Sequence, residues 1–130
     1  MSTEILPPAL DARRQTGRAS YEDGVAAEDG VARHYEGLGA RVVARRWRGP
    51  GGEIDLVCVQ GVDIVFVEVK KAETHDEAAM RLSGTQLARI CASAEAWLAD
   101  HDSGLACARV DLALVDGAGR IAVIENVSLV

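Results

Sequence analysis

Glu53 and Asp55 stand two residues apart in Gly52-Glu53-Ile54-Asp55-Leu56-Val57, and Glu68 and Lys70 stand two apart in Val65-Phe66-Val67-Glu68-Val69-Lys70. On a β-strand that spacing points each pair to one face, and a tight hairpin between the strands lets the pairs meet. Their neighbours Ile54, Leu56, Val57, Val65, Val67 and Val69 are strand formers of the kind that fill a central strand, so the acids and the lysine belong among buried groups. A carboxylate in that setting is costly unless it is paired, protonated or bound to a cation, and several acids converging on one divalent ion meet the condition. Lys70 and Lys71 are the only lysines in the chain, against twelve arginines. The Gly-rich turn before Glu53 permits close approach of backbone or ligand. Glu28, further upstream, sits where a first helix could turn it toward the same cluster.

The elements that must position these residues are legible as periodicities. From about Arg18 to Leu38, Val25, Val31, Ala32, Tyr35 and Leu38 recur at helical intervals, with Gly39 as the stop and Gly24 as a weak start. Ala40–Arg48, Glu53–Gln60 and Asp63–Lys71 read as three strands of an antiparallel meander, joined by Gly49-Pro50-Gly51-Gly52 and by a short turn around Gly61. Helical spacing returns from about Asp76 to Asp100. It breaks at Ser83-Gly84, where Ser83 or Thr85 can cap a longer helix after a short one. Arg109–Asp116 and Arg120–Val127 complete the set as two strands around Gly117-Ala118-Gly119. The order αβββαββ predicts an α/β fold, a mixed sheet covered by helices. Residues 1–17, with Pro7-Pro8 and no sustained period, read as an N-terminal arm, and residues 18–130 as a single domain.

Composition narrows the class. At 130 residues, 48% hydrophobic and 26% charged, the chain is neither disordered nor collagenous, and no stretch is long and apolar enough to span a bilayer. Arg13 and Arg14 are followed by no apolar segment of the secretory type, so a cytoplasmic location is expected. Cys58, Cys91 and Cys107 are odd in number and lack C-x-x-C spacing, which predicts reduced, packed thiols. His34, His75 and His101 are scattered singly, against a histidine-based zinc site. Gly49-Pro50-Gly51-Gly52 is followed by no G-K-[ST] and reads as a turn rather than a phosphate loop. No G-x-S-x-G supports a serine hydrolase.

A formal charge of −6 repels nucleic acid as a whole-molecule field, so any such binding needs a local basic patch. Arg41, Arg45, Arg46 and Arg48 supply four cations with no acid between Ala40 and Gly52. Trp47 among them can either stack on an unpaired base or pack on the sheet edge. Arg13, Arg14 and Arg18 form a second, smaller patch. Phosphate contacts of this kind carry little sequence specificity, which points to structure-selective or non-specific binding.

Glu28, Gly52-Glu53-Ile54-Asp55-Leu56 and Phe66-Val67-Glu68-Val69-Lys70, followed by an amphipathic helix, resemble the YraN-like family, a branch of the PD-(D/E)XK nuclease superfamily. The resemblance covers about residues 22–127. It implies a restriction-endonuclease-like core of four mixed strands flanked by helices, with Asp55 and Glu68 as metal ligands and Lys70 as the third member of the signature. Glu28 would match the first-helix acid of such nucleases and is a candidate metal ligand, Gln86 falls where a residue of the second helix approaches the site, and Glu53 is read as support. The chain departs from the family where Lys71-Ala72 replaces a Thr-Arg pair and Gln86 replaces a lysine. On this reading Asp55, Glu68 and the Val69 carbonyl offer hard oxygens to Mg²⁺ or Mn²⁺. The expected function is metal-dependent hydrolysis of phosphodiester bonds in DNA, including structured or branched DNA. A nuclease fold without turnover, acting as a nucleic-acid- or protein-binding module, is the alternative. The apolar stretch Ile121–Val130 offers an edge for pairing into a homodimer.

Overall fold

The computed structural model describes residues 24–101 and 107–127. The N-terminal arm read over residues 1–17, and the start of the first helix at Arg18, lie outside the described residues. The first helix, α1, is described over residues 24–37. Its apolar residues Ala27, Val31, Ala32 and Tyr35 fall at three- and four-residue intervals and all are buried. It ends where Gly39 adopts φ +88, a conformation that costs glycine little, and the Ala40 N–H turns back to the Tyr35 carbonyl at 3.0 Å.

Strands β1 (Arg41–Gly49), β2 (Gly52–Gln60) and β3 (Asp63–Lys71) form the antiparallel meander that their alternation predicts. Two short-range caps then define the helices. Thr74 accepts from the Glu77 N–H to start α2 (His75–Ala79), and Ser83 accepts from the Gln86 N–H to start α3 (Gly84–Asp100). Strand β4 (Cys107–Val115) returns parallel to β3, and β5 (Ile121–Ile124) runs antiparallel to β4. The result is an α/β fold built on a five-stranded mixed sheet in the order β1-β2-β3-β4-β5, with element order αβββααββ. The five strands are those that the sequence predicts, β5 lying beyond the core of four that the family resemblance implies.

Side-chain alternation sends each face of the sheet to a different helix. Val65 and Val67 of β3, with Leu56, Cys58 and Ala113, pack under α1 through Val31 and Tyr35. Ile64 and Phe66, with Val57 and Val110, pack under α3 through Ile90, Ala94 and Trp97, and the Phe66 and Trp97 rings meet edge to face at 5.8 Å. Burying each of these larger apolar side chains contributes about 1.5–3 kcal/mol, and β3, central in the sheet, is covered on both sides.

Two expectations are corrected. Strand β5 stops at Ile124 instead of reaching Val127, because Asn126 takes φ +60 and its N–H is drawn to Asp111 Oδ1 at 3.0 Å. Cys107 is exposed, since it opens β4 at the sheet margin; Cys58 is buried and Cys91 half-buried, and all three are free thiols. No helix among the described residues is long and apolar enough to cross a membrane.

Candidate metal centre

The β2–β3 ladder runs from Gln60↔Asp63 to Leu56↔Val67 and ends there. One residue further along β2, the Asp55 side chain takes over the role of a ladder partner, accepting the Val69 N–H on Oδ2 at 2.8 Å. At the same point the face alternation of β2 slips: Leu56 packs in the α1 cluster and Ile54 in the α3 cluster. The matching irregularity on β1 is Arg46, which has φ +50 and lies between the pairs Arg45↔Leu56 and Trp47↔Ile54. Bulge-like slips of this kind re-aim a side chain, and here the one re-aimed is an acid.

Glu68 of β3 is buried, with 5% of its surface exposed. Its Oε2 accepts from Gln86 Nε2 at 2.8 Å and lies 3.3 Å from Lys70 Nζ. Its Oε1 is buried with no hydrogen-bond partner. An orphaned carboxylate oxygen in a dry place is costly, and a proton or a metal ion is what relieves it. Burial pushes the Asp55 carboxyl up to about 7, and the adjacent Glu68 charge adds to the rise, against the Val69 N–H and the Lys70 ammonium that favour ionisation. Gln86 is fixed by position, since its own N–H is the one that Ser83 caps at the first turn of α3. Asp55, Glu68, Lys70 and Gln86 are thus brought together from β2, β3 and α3.

The remaining candidates lie around this core. Glu28 on α1 accepts from Arg46 Nε at 2.9 Å; burial raises its pKa, and the charges of Asp55 and Glu53 act on it in the same sense. Glu53 is exposed and faces Arg48 Nη2 at 3.7 Å. Arg45 pairs with Asp29 at 2.6 Å, while Arg41 stands exposed at the start of β1. Trp47 is half-buried and packs against the α3 cluster at the sheet edge. Three of the four β1 arginines therefore already have an acid partner.

Among the described residues no group of three or more His, Cys, Asp or Glu side chains is arranged to hold a metal ion. The donor set present is two carboxylates, Asp55 and Glu68, whose hard oxygens and unsatisfied Oε1 suit a small divalent cation that keeps several waters and takes a backbone carbonyl such as that of Val69. The histidines have other work. His75 Nε2 lies 2.8 Å from the Arg120 carbonyl, and His101 Nδ1 lies 2.9 Å from the Trp97 carbonyl with its ring stacked on Trp97 at 4.1 Å.

Two supports were not foreseen. Ser93, fully buried on α3, donates to the Gly52 carbonyl at 2.9 Å and accepts the Gly51 N–H at 3.0 Å, tying the turn before Glu53 and Asp55 to the helix. A Cβ at Gly51 would collide with the Arg89 carbonyl, so the close approach needs glycine there. The second is Asp111, fully buried on β4, which accepts from Tyr35 Oη at 2.7 Å and from Arg109 Nε at 3.0 Å. A lone acid inside the apolar run Val110-Asp111-Leu112-Ala113 was its signal.

A mixed sheet with a helix on each face, carrying an acid at the slipped end of one strand and Glu-x-Lys at the facing end of the next, defines an α/β protein consistent with a restriction-endonuclease-like fold. The sequence model of the uncharacterised protein family UPF0102 matches residues 27–115. The chain belongs to that family, the YraN family, of the PD-(D/E)XK-like nuclease superfamily. It is similar to a UPF0102 protein of Cereibacter sphaeroides, 49% identical over 112 residues that make up 85% of this chain and 96% of the relative. A UPF0102 protein of Roseobacter denitrificans is 46% identical over 120 residues, 92% of this chain and 93% of its own. One of Ruegeria pomeroyi is 43% identical over 118 residues, 90% and 96% of the two chains.

Proposed function

We propose that the protein is a metal-dependent nuclease that hydrolyses phosphodiester bonds in DNA. The observation that carries this reading is the buried, unpartnered Oε1 of Glu68, set beside the Asp55 carboxyl and the Lys70 ammonium. Asp55 and Glu68, with the Val69 carbonyl, would hold Mg²⁺ or Mn²⁺; when bound, such an ion supplies Lewis-acid polarisation of the phosphate and acidifies a water.

The chain's own residues do the rest. Gln86 holds Glu68 by Oε2, which leaves Oε1 without a protein partner and available to a cation. Lys70, held 3.3 Å from that carboxylate, orients the attacking water and offsets the negative charge that builds on the phosphate. The water oxygen bonds to phosphorus, the bond to the leaving sugar oxygen breaks, and the water's proton passes to the site while the leaving oxygen is protonated from solvent. Glu28 and Glu53 lie close enough to add negative potential behind the ligands.

The test is cleavage of single-stranded, duplex and four-way-junction DNA in Mg²⁺ and Mn²⁺ by the wild type, Asp55→Ala and Glu68→Ala. Cleavage of at least one substrate by the wild type, lost in both variants, supports the reading. Metal binding with no cleavage of any substrate would assign the chain to the binding-module class instead.

A further inference from the structure

A groove opens beside Lys70, lined also by Gly24 of α1 and by no residue of β1. Its volume, 680 Å³, is that of a ligand site rather than a packing defect. Lys70, Lys71 and Arg81 line it, with Glu73 as the one acid and Gly117 at the far wall. Three cations on one groove in a chain of net charge −6 are a local reversal of the molecule's field. Among the described residues no aromatic side chain lines it.

Lys70 is itself paired with Glu68 at 3.3 Å, and the groove cation that differs from the paired β1 arginines is Arg81. Arg45, Arg46 and Arg48 each face an acid, at 2.6, 2.9 and 3.7 Å. Arg81, exposed on the connection between α2 and α3, carries no ion pair among the described residues. Its backbone is anchored, the Arg81 N–H bonding the Ala78 carbonyl at 3.1 Å, so the side chain projects from a fixed base. Glu73 lies against Gly117. Its carbonyl accepts the Gly117 N–H at 3.1 Å, and its carboxylate lies where a Cβ of residue 117 would stand.

We infer that this groove is the path of the polynucleotide backbone, with Arg81 and Lys71 contacting phosphates next to the one that reaches Lys70. The inference rests on the nuclease reading for what the neighbouring site does, and on the groove alone for where the strand lies. Backbone contacts without base contacts make the binding indifferent to sequence. The assignment moves the phosphate path off the arginine-rich strand β1, which the sequence singles out, to the groove at the end of β3.

The experiment is fluorescence anisotropy of a labelled single strand and a labelled duplex against full-length wild type, Arg81→Ala, Arg81→Glu and Arg45→Ala across a salt series. Loss of one phosphate contact lowers the salt slope by about 0.7–0.9 and weakens binding about fivefold to eightfold near 0.1 M salt. That result is expected for Arg81→Ala, with a larger loss for Arg81→Glu and none for Arg45→Ala. Circular dichroism of each variant checks that the exposed substitution leaves the fold intact. Unchanged affinity in both Arg81 variants, or a loss confined to Arg45→Ala, overturns the groove assignment. Calorimetric binding of inorganic pyrophosphate by wild type, lost in Arg81→Glu, with no binding of either oligonucleotide, overturns it in favour of a free phosphate ligand. Failure of the nuclease reading shows separately, as absent cleavage in a wild type that still binds DNA through Arg81.

Discussion

The Asp55 carboxylate on β2 accepts the backbone N–H of Val69 on β3 at 2.8 Å, two residues past the last pair of the β2–β3 ladder. A side chain thereby takes the place of a strand, and the end of the hairpin opens around the Glu68 carboxylate. The arrangement stores an electrostatic cost at the site, because two acids are drawn together where water is scarce.

Relieving that cost should stabilise the protein without its ligand. Asp55→Asn keeps an oxygen for the Val69 N–H and removes the charge, so the metal-free variant is expected to gain roughly 0.5–2 kcal/mol at pH 8, about the size of other function-for-stability exchanges. Urea unfolding of the two proteins in chelator measures it. A loss of stability would mean that Asp55 is already fully compensated.

The same carboxyl sets a pH dependence whose sign follows from its raised pKa. The folded state holds the Asp55 proton up to about 7, while the unfolded chain releases it near the ordinary 3.8. Between these values the folded state binds more protons, so the Asp55 contribution to metal-free stability is fully present below about pH 4 and is lost as pH rises to about 7. A bound cation competes with that proton, so metal affinity should rise with pH over the upper part of the window and level off above it. Unfolding midpoints of wild type and Asp55→Asn across this range check the sign, the variant lacking the Asp55 component.

How much of this was legible in the sequence differs by residue. Glu68 and Lys70 share a strand face through plain alternation, and their contact at 3.3 Å is what alternation predicts. Ser83 was readable as a cap because capping is local. Glu53 and Asp55 were expected to share a face by the same rule, but the β2 alternation slips at Asp55, a consequence of the register against β1 and of Arg46 at φ +50. That information is tertiary. The same holds for Tyr35 and Asp111, 76 residues apart, and for Ser93, whose partners Gly51 and Gly52 are given by packing of α3 on the β1–β2 turn.

Gln86 donates to Glu68 Oε2, and on the proposed reading its loss should be felt at the site. Gln86→Ala removes the neutral donor to the buried Glu68 Oε2 and is expected to cost about 1–3 kcal/mol of stability. Gln86→Lys restores a donor and should recover metal affinity, whereas Gln86→Glu sets a second carboxylate against Glu68 and should not. Chemical unfolding and metal titration of the three variants separate a positioning role from a merely structural one, which the lysine would not rescue.

The turn that leads into β2 should tolerate nothing larger than glycine at position 51. Gly51→Ala drives a methyl into the Arg89 carbonyl and displaces the Ser93 hydrogen bonds, with an expected cost of about 1–3 kcal/mol. Gly84→Ala, at the first position of α3 with nothing within 4 Å of the new methyl, should be neutral or stabilising by up to about 1 kcal/mol. Denaturant midpoints of the pair give the comparison directly.

The most direct test of the central claim is calorimetric titration of Mg²⁺ and Mn²⁺ into wild type, Asp55→Ala, Glu68→Ala and, as a control, Glu53→Ala. Binding to the wild type is expected, abolished in the first two variants and retained in the third. Equal binding by wild type and Glu68→Ala, or no binding to the wild type at any pH from about 6 to 8, would contradict it.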